Sequence, residues 1–232
     1  MSFFANPSLH FISFGPQSSS HGIVLFHGYG ANCHDLVPLH QLSHCSKAQW
    51  FFPDGPLEVL IGLGLKGKAW FPVDTQAFEQ AVAKGQHHLL SQIRPQGFDE
   101  ALQLAENFVN HLPVKKLILG GFSQGAMLAT ELSFRMSKKP EALIILSGAL
   151  VDEPHLSSLL DQPENKKIPF FQSHGQQDPL LSFQEARRLY ELLTTKGLKG
   201  HFVSFSGGHE IPTQVLEELN TFLKPFCKDI SA

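Results

Sequence analysis

Only three of the 232 residues are cysteine, and none stands in a C-x-x-C pair. Cys33, Cys45 and Cys227 are an odd number at wide spacing, which argues against a disulfide framework and for a reducing compartment. Charge is also scarce. Charged residues make up 17 % of the chain, and 18 Lys and Arg against 21 Asp and Glu leave a net charge of −3. With no basic excess there is no electrostatic case for a nucleic-acid partner. No apolar run approaches the ~20 residues of a membrane span. The opening Met1-Ser2-Phe3-Phe4-Ala5-Asn6-Pro7 lacks the basic and continuous apolar regions of a secretory signal. Repeats, low-complexity tracts and linkers are missing too. The expectation is a single domain over 1–232, soluble and cytoplasmic, without a stable membrane anchor.

What is abundant is phenylalanine, 20 residues against 2 Tyr and 2 Trp, within a hydrophobic content of 42 %. Such a chain can bury roughly 70–75 % of its unfolded surface and needs no disulfide or metal staple. Short apolar runs recur at 21–27, 50–53, 115–121, 142–147, 168–173 and 201–205. Continuous runs of this kind suit strands of a parallel sheet covered on both faces. Leu9 to Phe14 offers an additional antiparallel edge strand.

Helical spacing fills the intervals. Phe98, Ala101, Leu102, Ala105, Phe108, Val109 and Leu112 form one stripe. Ser182-Phe183-Gln184-Glu185 reads as a capping box opening a helix that stops at Gly197. Pro212 starts a last helix striped by Val215, Leu216, Leu219, Phe222, Leu223 and Phe226. Alternation of strand and helix predicts a three-layer α/β/α sandwich around a mostly parallel sheet.

One motif carries chemistry. Gly121-Phe122-Ser123-Gln124-Gly125 is a G-x-S-x-G between a buried strand and the small-residue helix Ala126-Met127-Leu128-Ala129. The strand-to-helix turn is so sharp that its flanks need glycine, and it leaves the serine hydroxyl exposed. A serine needs a base to attack at neutral pH. In hydrolases with this elbow the acid and then the histidine follow, each on a post-strand loop. Asp178, in His174-Gly175-Gln176-Gln177-Asp178-Pro179, and His209, in Gly207-Gly208-His209-Glu210, meet that order. Glu210 ranks below Asp178, because a direct neighbour of His209 points elsewhere. The oxyanion would be met by two amides, Gln124 after the nucleophile and Tyr29 in His27-Gly28-Tyr29-Gly30.

On these residues the chain resembles the phospholipase/carboxylesterase family of α/β-hydrolases, which includes acyl-protein thioesterases and small bacterial carboxylesterases. The likeness runs from about Gly22 to Leu223. It continues through Phe52-Pro53, Trp70-Phe71, Gly120 to Ala126, Leu146-Ser147-Gly148 and Gly208-His209-Glu210-Ile211-Pro212. It implies the α/β-hydrolase fold and cofactor-free cleavage of carboxylic esters or thioesters through an acyl-enzyme by Ser123, Asp178 and His209. The family usually has Trp-Phe-Asp where this chain reads Trp70-Phe71-Pro72-Val73-Asp74. By the same resemblance, 57–75 is a candidate lid or acyl-groove insertion, with Leu63, Leu65, Trp70, Phe71 and Phe78 as groove residues. The implied substrate is a small-molecule or lipid acyl ester, or an acylated protein.

Two other readings are weighed. A lysophospholipase would share the machinery and differ in its leaving group, and a non-catalytic hydrolase-fold binder would have no need of the three residues. Cys33, His34, His40, His44 and Cys45 form a cluster of soft ligands, but they show neither CxxC nor HExxH spacing. No metal is expected.

Overall fold

Buried on both faces, the apolar runs form the centre of a seven-stranded sheet in the order β1-β3-β2-β6-β7-β8-β9. The computed structural model describes residues 9–62, 64–74, 76, 80, 84 and 89–227. The strands are β1 (Phe11–Phe14), β2 (His21–Phe26), β3 (Gln49–Pro53), β6 (Lys116–Phe122), β7 (Ala142–Leu146), β8 (Phe170–Gly175) and β9 (Gly200–Phe205). Only β1 runs antiparallel, at the edge against β3. Every other pairing in this sheet is parallel, as the continuous apolar runs require.

Alternation within each strand divides the core between two helical layers. Val24, Phe26, Leu119, Leu143, Ile145 and Phe170 face one side. They meet α3 (Phe98–Asn110), α4 (Gln124–Arg135), α5 (Glu153–Leu160) and α6 (Phe183–Thr195). Ile23, Leu25, Ile118, Ile144, Leu146 and Phe171 face the other, against α1 (Val37–Leu42) and α7 (Thr213–Cys227). A further short helix, α2, spans Leu89–Gln92. The three layers are those the sequence predicts.

At the start of α6, half of the predicted capping box is present. Ser182 Oγ accepts the Gln184 amide at 3.2 Å, but Glu185 turns to Arg188 at 3.1 Å instead of reaching back. A salt bridge to a cation one turn on competes for that carboxylate.

The segment after β3 is a second small sheet, the hairpin β4 (Leu57–Leu60) and β5 (Lys66–Ala69). It is anchored where Gly30 donates to the Lys68 carbonyl at 2.8 Å and Lys68 donates to that of Ala31 at 2.7 Å. Its tip carries Leu60, Ile61 and Leu65, all exposed.

The cysteine expectation needs correction. Cys45 and Cys227 form a disulfide across 182 residues, leaving Cys33 as the free thiol. Spacing could not reveal it, because the partners meet only once α7 packs beside the α1–β3 turn. The same contact is made by Asn220, whose side chain accepts the His44 amide at 2.9 Å and donates to the Leu42 carbonyl at 3.1 Å. A bridge of this kind removes the cysteine-based argument for a reducing compartment. Among the described residues, no helix is long and apolar enough to cross a membrane.

Candidate active site

Parallel strands end together, so their C-terminal loops gather. Phe26 pairs with Gly121, Phe122 with Leu146 and Gly175 with Phe205. The chain leaves β2 for β3 on one side and returns to β6 on the other, which makes the β2/β6 junction a topological switch point. Loops carrying Tyr29 and Ser123 emerge there, and those carrying Asp178 and His209 follow β8 and β9.

Ser123 sits at φ 54°, ψ −118°, a backbone region that non-glycine residues avoid. Its amide is held by the Leu146 carbonyl at 2.9 Å, and its carbonyl accepts Ala126 at 3.0 Å, so α4 begins immediately. The turn is closed enough that a Cβ on Gly125 would lie 2.0 Å from the Phe26 carbonyl oxygen, and one on Gly121 would lie 2.4 Å from the Gly125 backbone. These clashes are the physical reason for the two glycines of the motif. Gln124, in the first turn of α4, has no intrahelical acceptor for its amide.

Asp178 is fixed by its own loop. Its Oδ1 accepts the Leu180 and Leu181 amides, both at 2.9 Å, and Oδ2 accepts His209 Nδ1 at 2.6 Å. The carboxylate is wholly buried. Burial alone would push it up, but hydrogen bonds from His174, His209 and the Leu181 amide outweigh this and hold it well below the usual carboxylate range. With Nδ1 engaged, Nε2 is the His209 ring nitrogen left for another partner. The His209 ring packs against Phe122, the neighbour of Ser123, with centroids 4.7 Å apart. Glu210 turns back to the Gly208 amide at 3.2 Å, away from the role of acid.

Three residues have roles that the motifs did not disclose. His174 is wholly buried, and its Nε2 lies 2.8 Å from the Leu181 carbonyl and 3.3 Å from Asp178 Oδ2. Its Nδ1 has no hydrogen-bond partner among the described residues, so the ring proton belongs on Nε2, shared between these two acceptors. The Gln124 side chain accepts the Trp70 amide at 2.9 Å and donates to the Phe71 carbonyl at 2.8 Å. His27 ties together three segments. Its Nδ1 donates to the Gly28 carbonyl at 2.7 Å, Nε2 accepts the Gly55 amide at 2.9 Å, and its carbonyl accepts Trp70 Nε1 at 2.9 Å. Burial, partly offset by the Gly28 hydrogen bond, holds the His27 imidazole below its ordinary value.

Gly28 brings the Tyr29 loop against Ser123, since a Cβ built on it would lie 3.3 Å from Ser123 Cβ. The expected groove residues divide. Trp70 and Phe71 are core residues, 1 % and 3 % exposed. Trp70 packs edge-on to Phe26, with centroids 5.1 Å apart, and Phe71 packs edge-on to Phe98 at 5.0 Å. Gln124 hydrogen-bonds their backbone, and both rings pack into the core. Leu65 is exposed at the hairpin tip, and Leu63 and Phe78 lie outside the described residues. The soft-ligand cluster is dispersed as well. Cys45 is in the disulfide, His40 stacks on Phe14, and the His44 amide binds Asn220.

Comparison with known proteins agrees with this architecture. Residues 9–226 match the family profile described as Phospholipase/Carboxylesterase. Acyl-protein thioesterase 1 of Neurospora crassa is 23 % identical over 211 residues, covering 87 % of this chain and 84 % of that protein. Acyl-protein thioesterase 1 homolog 2 of Dictyostelium discoideum is 29 % identical over 182 residues, or 77 % of each. Among solved structures, esterase PE8 superposes with a TM-score of 0.73 at 24 % identity, covering 94 % of this chain and 98 % of that one. Zea mays acyl-protein thioesterase 2 gives 0.71 at 22 %, covering 94 % and 99 %. At these identities the superpositions establish the fold.

Proposed function

Because the chain belongs to the phospholipase/carboxylesterase family of α/β-hydrolases and is an enzyme of the carboxylesterase and acyl-protein thioesterase type, we propose that it cleaves acyl esters or thioesters through Ser123, His209 and Asp178. Ser123 Oγ attacks the acyl carbonyl while His209 takes its proton. The tetrahedral oxyanion is met by the amides of Tyr29 and Gln124, at the positive end of α4. His209 returns the proton to the leaving alcohol or thiol as the acyl-enzyme forms. Water, deprotonated by the same imidazole, then releases the acid and restores Ser123. Asp178 holds the productive tautomer and offsets the imidazolium charge. No cofactor is required by these steps.

The observation that carries this reading is the backbone of Ser123. A conformation costing on the order of 1–3 kcal/mol has no use in an ordinary turn, and here it opens α4 next to Phe122, whose ring packs on His209, the partner of Asp178 at 2.6 Å. The acyl chain is assigned to the apolar surface of the hairpin tip, Leu60, Ile61 and Leu65, which is tied to the Tyr29 loop. Substrates of this class are lipid esters and acylated proteins.

A fluorophosphonate probe tests the chemistry. One adduct is expected at Ser123, absent from Ser123→Ala. An unlabelled Ser123 in folded protein would refute the enzyme mechanism and favour a non-catalytic binder. A p-nitrophenyl ester series from acetyl to palmitoyl, followed by a palmitoyl thioester and a lysophospholipid, then assigns chain length and leaving group.

A further inference from the structure

His10, Cys33 and Asp54 come from three separate segments: the approach to β1, the loop after β2 and the exit of β3. Their ligand atoms lie within 4.8 Å of one another. His10 Nδ1 is 2.7 Å from Asp54 Oδ2 and 4.0 Å from Cys33 Sγ. We infer that these three side chains form a binding site for a divalent cation of borderline softness, such as Zn2+, separate from the proposed hydrolytic residues.

The donor set is mixed thiolate, imidazole and carboxylate, the combination that suits zinc better than magnesium or calcium. Zinc bonds of about 2.1 Å to N and O and about 2.3 Å to S put tetrahedral ligands about 3.4 Å (N to O) and about 3.6 Å (N to S) apart. The present separations, 2.7 and 4.0 Å, bracket those values. A modest rotation of the largely exposed His10 side chain would open one and close the other.

The rest of the site is held in place. Asp54 Oδ1 accepts the Cys33 amide at 2.7 Å, and the Asp54 amide donates to the His10 carbonyl at 2.8 Å. Cys33 is buried and Asp54 nearly so, while exposed His10 leaves one side open to solvent. The fourth position is therefore one that water can fill. Binding would release the thiol proton to solvent and leave sulfur as thiolate. A cation there would bind the Tyr29-bearing loop to the edge of the sheet.

Cys33 is the free thiol beside one disulfide, so the test has a clean signature. The oxidised full chain is titrated with Co2+ in the absence of added thiols. One equivalent is expected to develop sulfur-to-cobalt charge-transfer absorption in the near ultraviolet, and Zn2+ to displace it. Cys33→Ser should abolish the band, and His10→Gln, at an exposed position, should weaken binding at least tenfold. Absence of the band with excess Co2+ would overturn the assignment. So would Co2+ binding that is unchanged in both variants, which would place the cation on other histidines.

Discussion

At Ser123, local stability and chemistry are set against each other. The strained φ of 54° costs on the order of 1–3 kcal/mol for a residue with a Cβ. Ser123→Gly is expected to abolish hydrolysis and raise unfolding free energy by about 1 kcal/mol, the rest of the relief being lost to glycine's unfolded-state entropy. Ser123→Ala should be equally inactive without the gain, and urea denaturation of the pair separates strain from chemistry. His174 works at one remove, because its Nε2 proton faces Asp178. His174→Phe should lower kcat/KM about tenfold, the size of one hydrogen bond to a charged acceptor. The loss is expected in kcat with KM little changed. His174→Gln, whose amide nitrogen can occupy the Nε2 position, should recover most of it. A loss confined to KM would exclude a positioning role.

Among the elements, the loop after β2 is the one that pH should loosen. His27 is neutral in the folded chain, donating from Nδ1 and accepting at Nε2. Its depressed value means that the unfolded chain binds the proton first as pH falls. Stability from this group is complete above the unfolded value, about 6.5, and declines as pH falls below it towards the folded value. Unfolding free energy should therefore fall between pH 7.5 and 5.5, and His27→Gln should flatten that limb of the profile. The opposite slope would exclude a neutral His27. For the hairpin, replacing Leu60 and Leu65 with Ser should depress kcat/KM on palmitoyl esters at least tenfold and leave acetyl esters nearly unchanged. The basis is ~0.8 kcal/mol per buried methylene on the acyl chain. Equal loss on both would remove the hairpin from substrate binding.

On the scale of the whole molecule, the Cys45–Cys227 bridge joins α7 to the α1–β3 turn. Replacing both cysteines with Ser should cost about 2–4 kcal/mol, read by urea denaturation under oxidising conditions. What the sequence disclosed follows from range. The strands and the stripes of α3 and α7 are patterns within one element, and they fall where expected. So do seven of the 20 phenylalanines: Phe26, Phe51, Phe52, Phe98, Phe134, Phe170 and Phe171 are fully buried. Ser123, Asp178 and His209 could be proposed from the sequence because each follows a readable strand. The disulfide, the His27 junction, the Gln124 clamp and the burial of Trp70 and Phe71 depend on neighbours that only the folded chain supplies. No periodicity encodes them.

The bridge also changes what it means to cut this protein. Ser123, Asp178 and His209 all lie between the joined cysteines, so the stretch from Cys45 to Cys227 is a closed covalent ring. A protease nick at a surface loop inside that ring divides the sequence but not the molecule. The halves remain tethered, and they would run as one species until a reductant opens the ring.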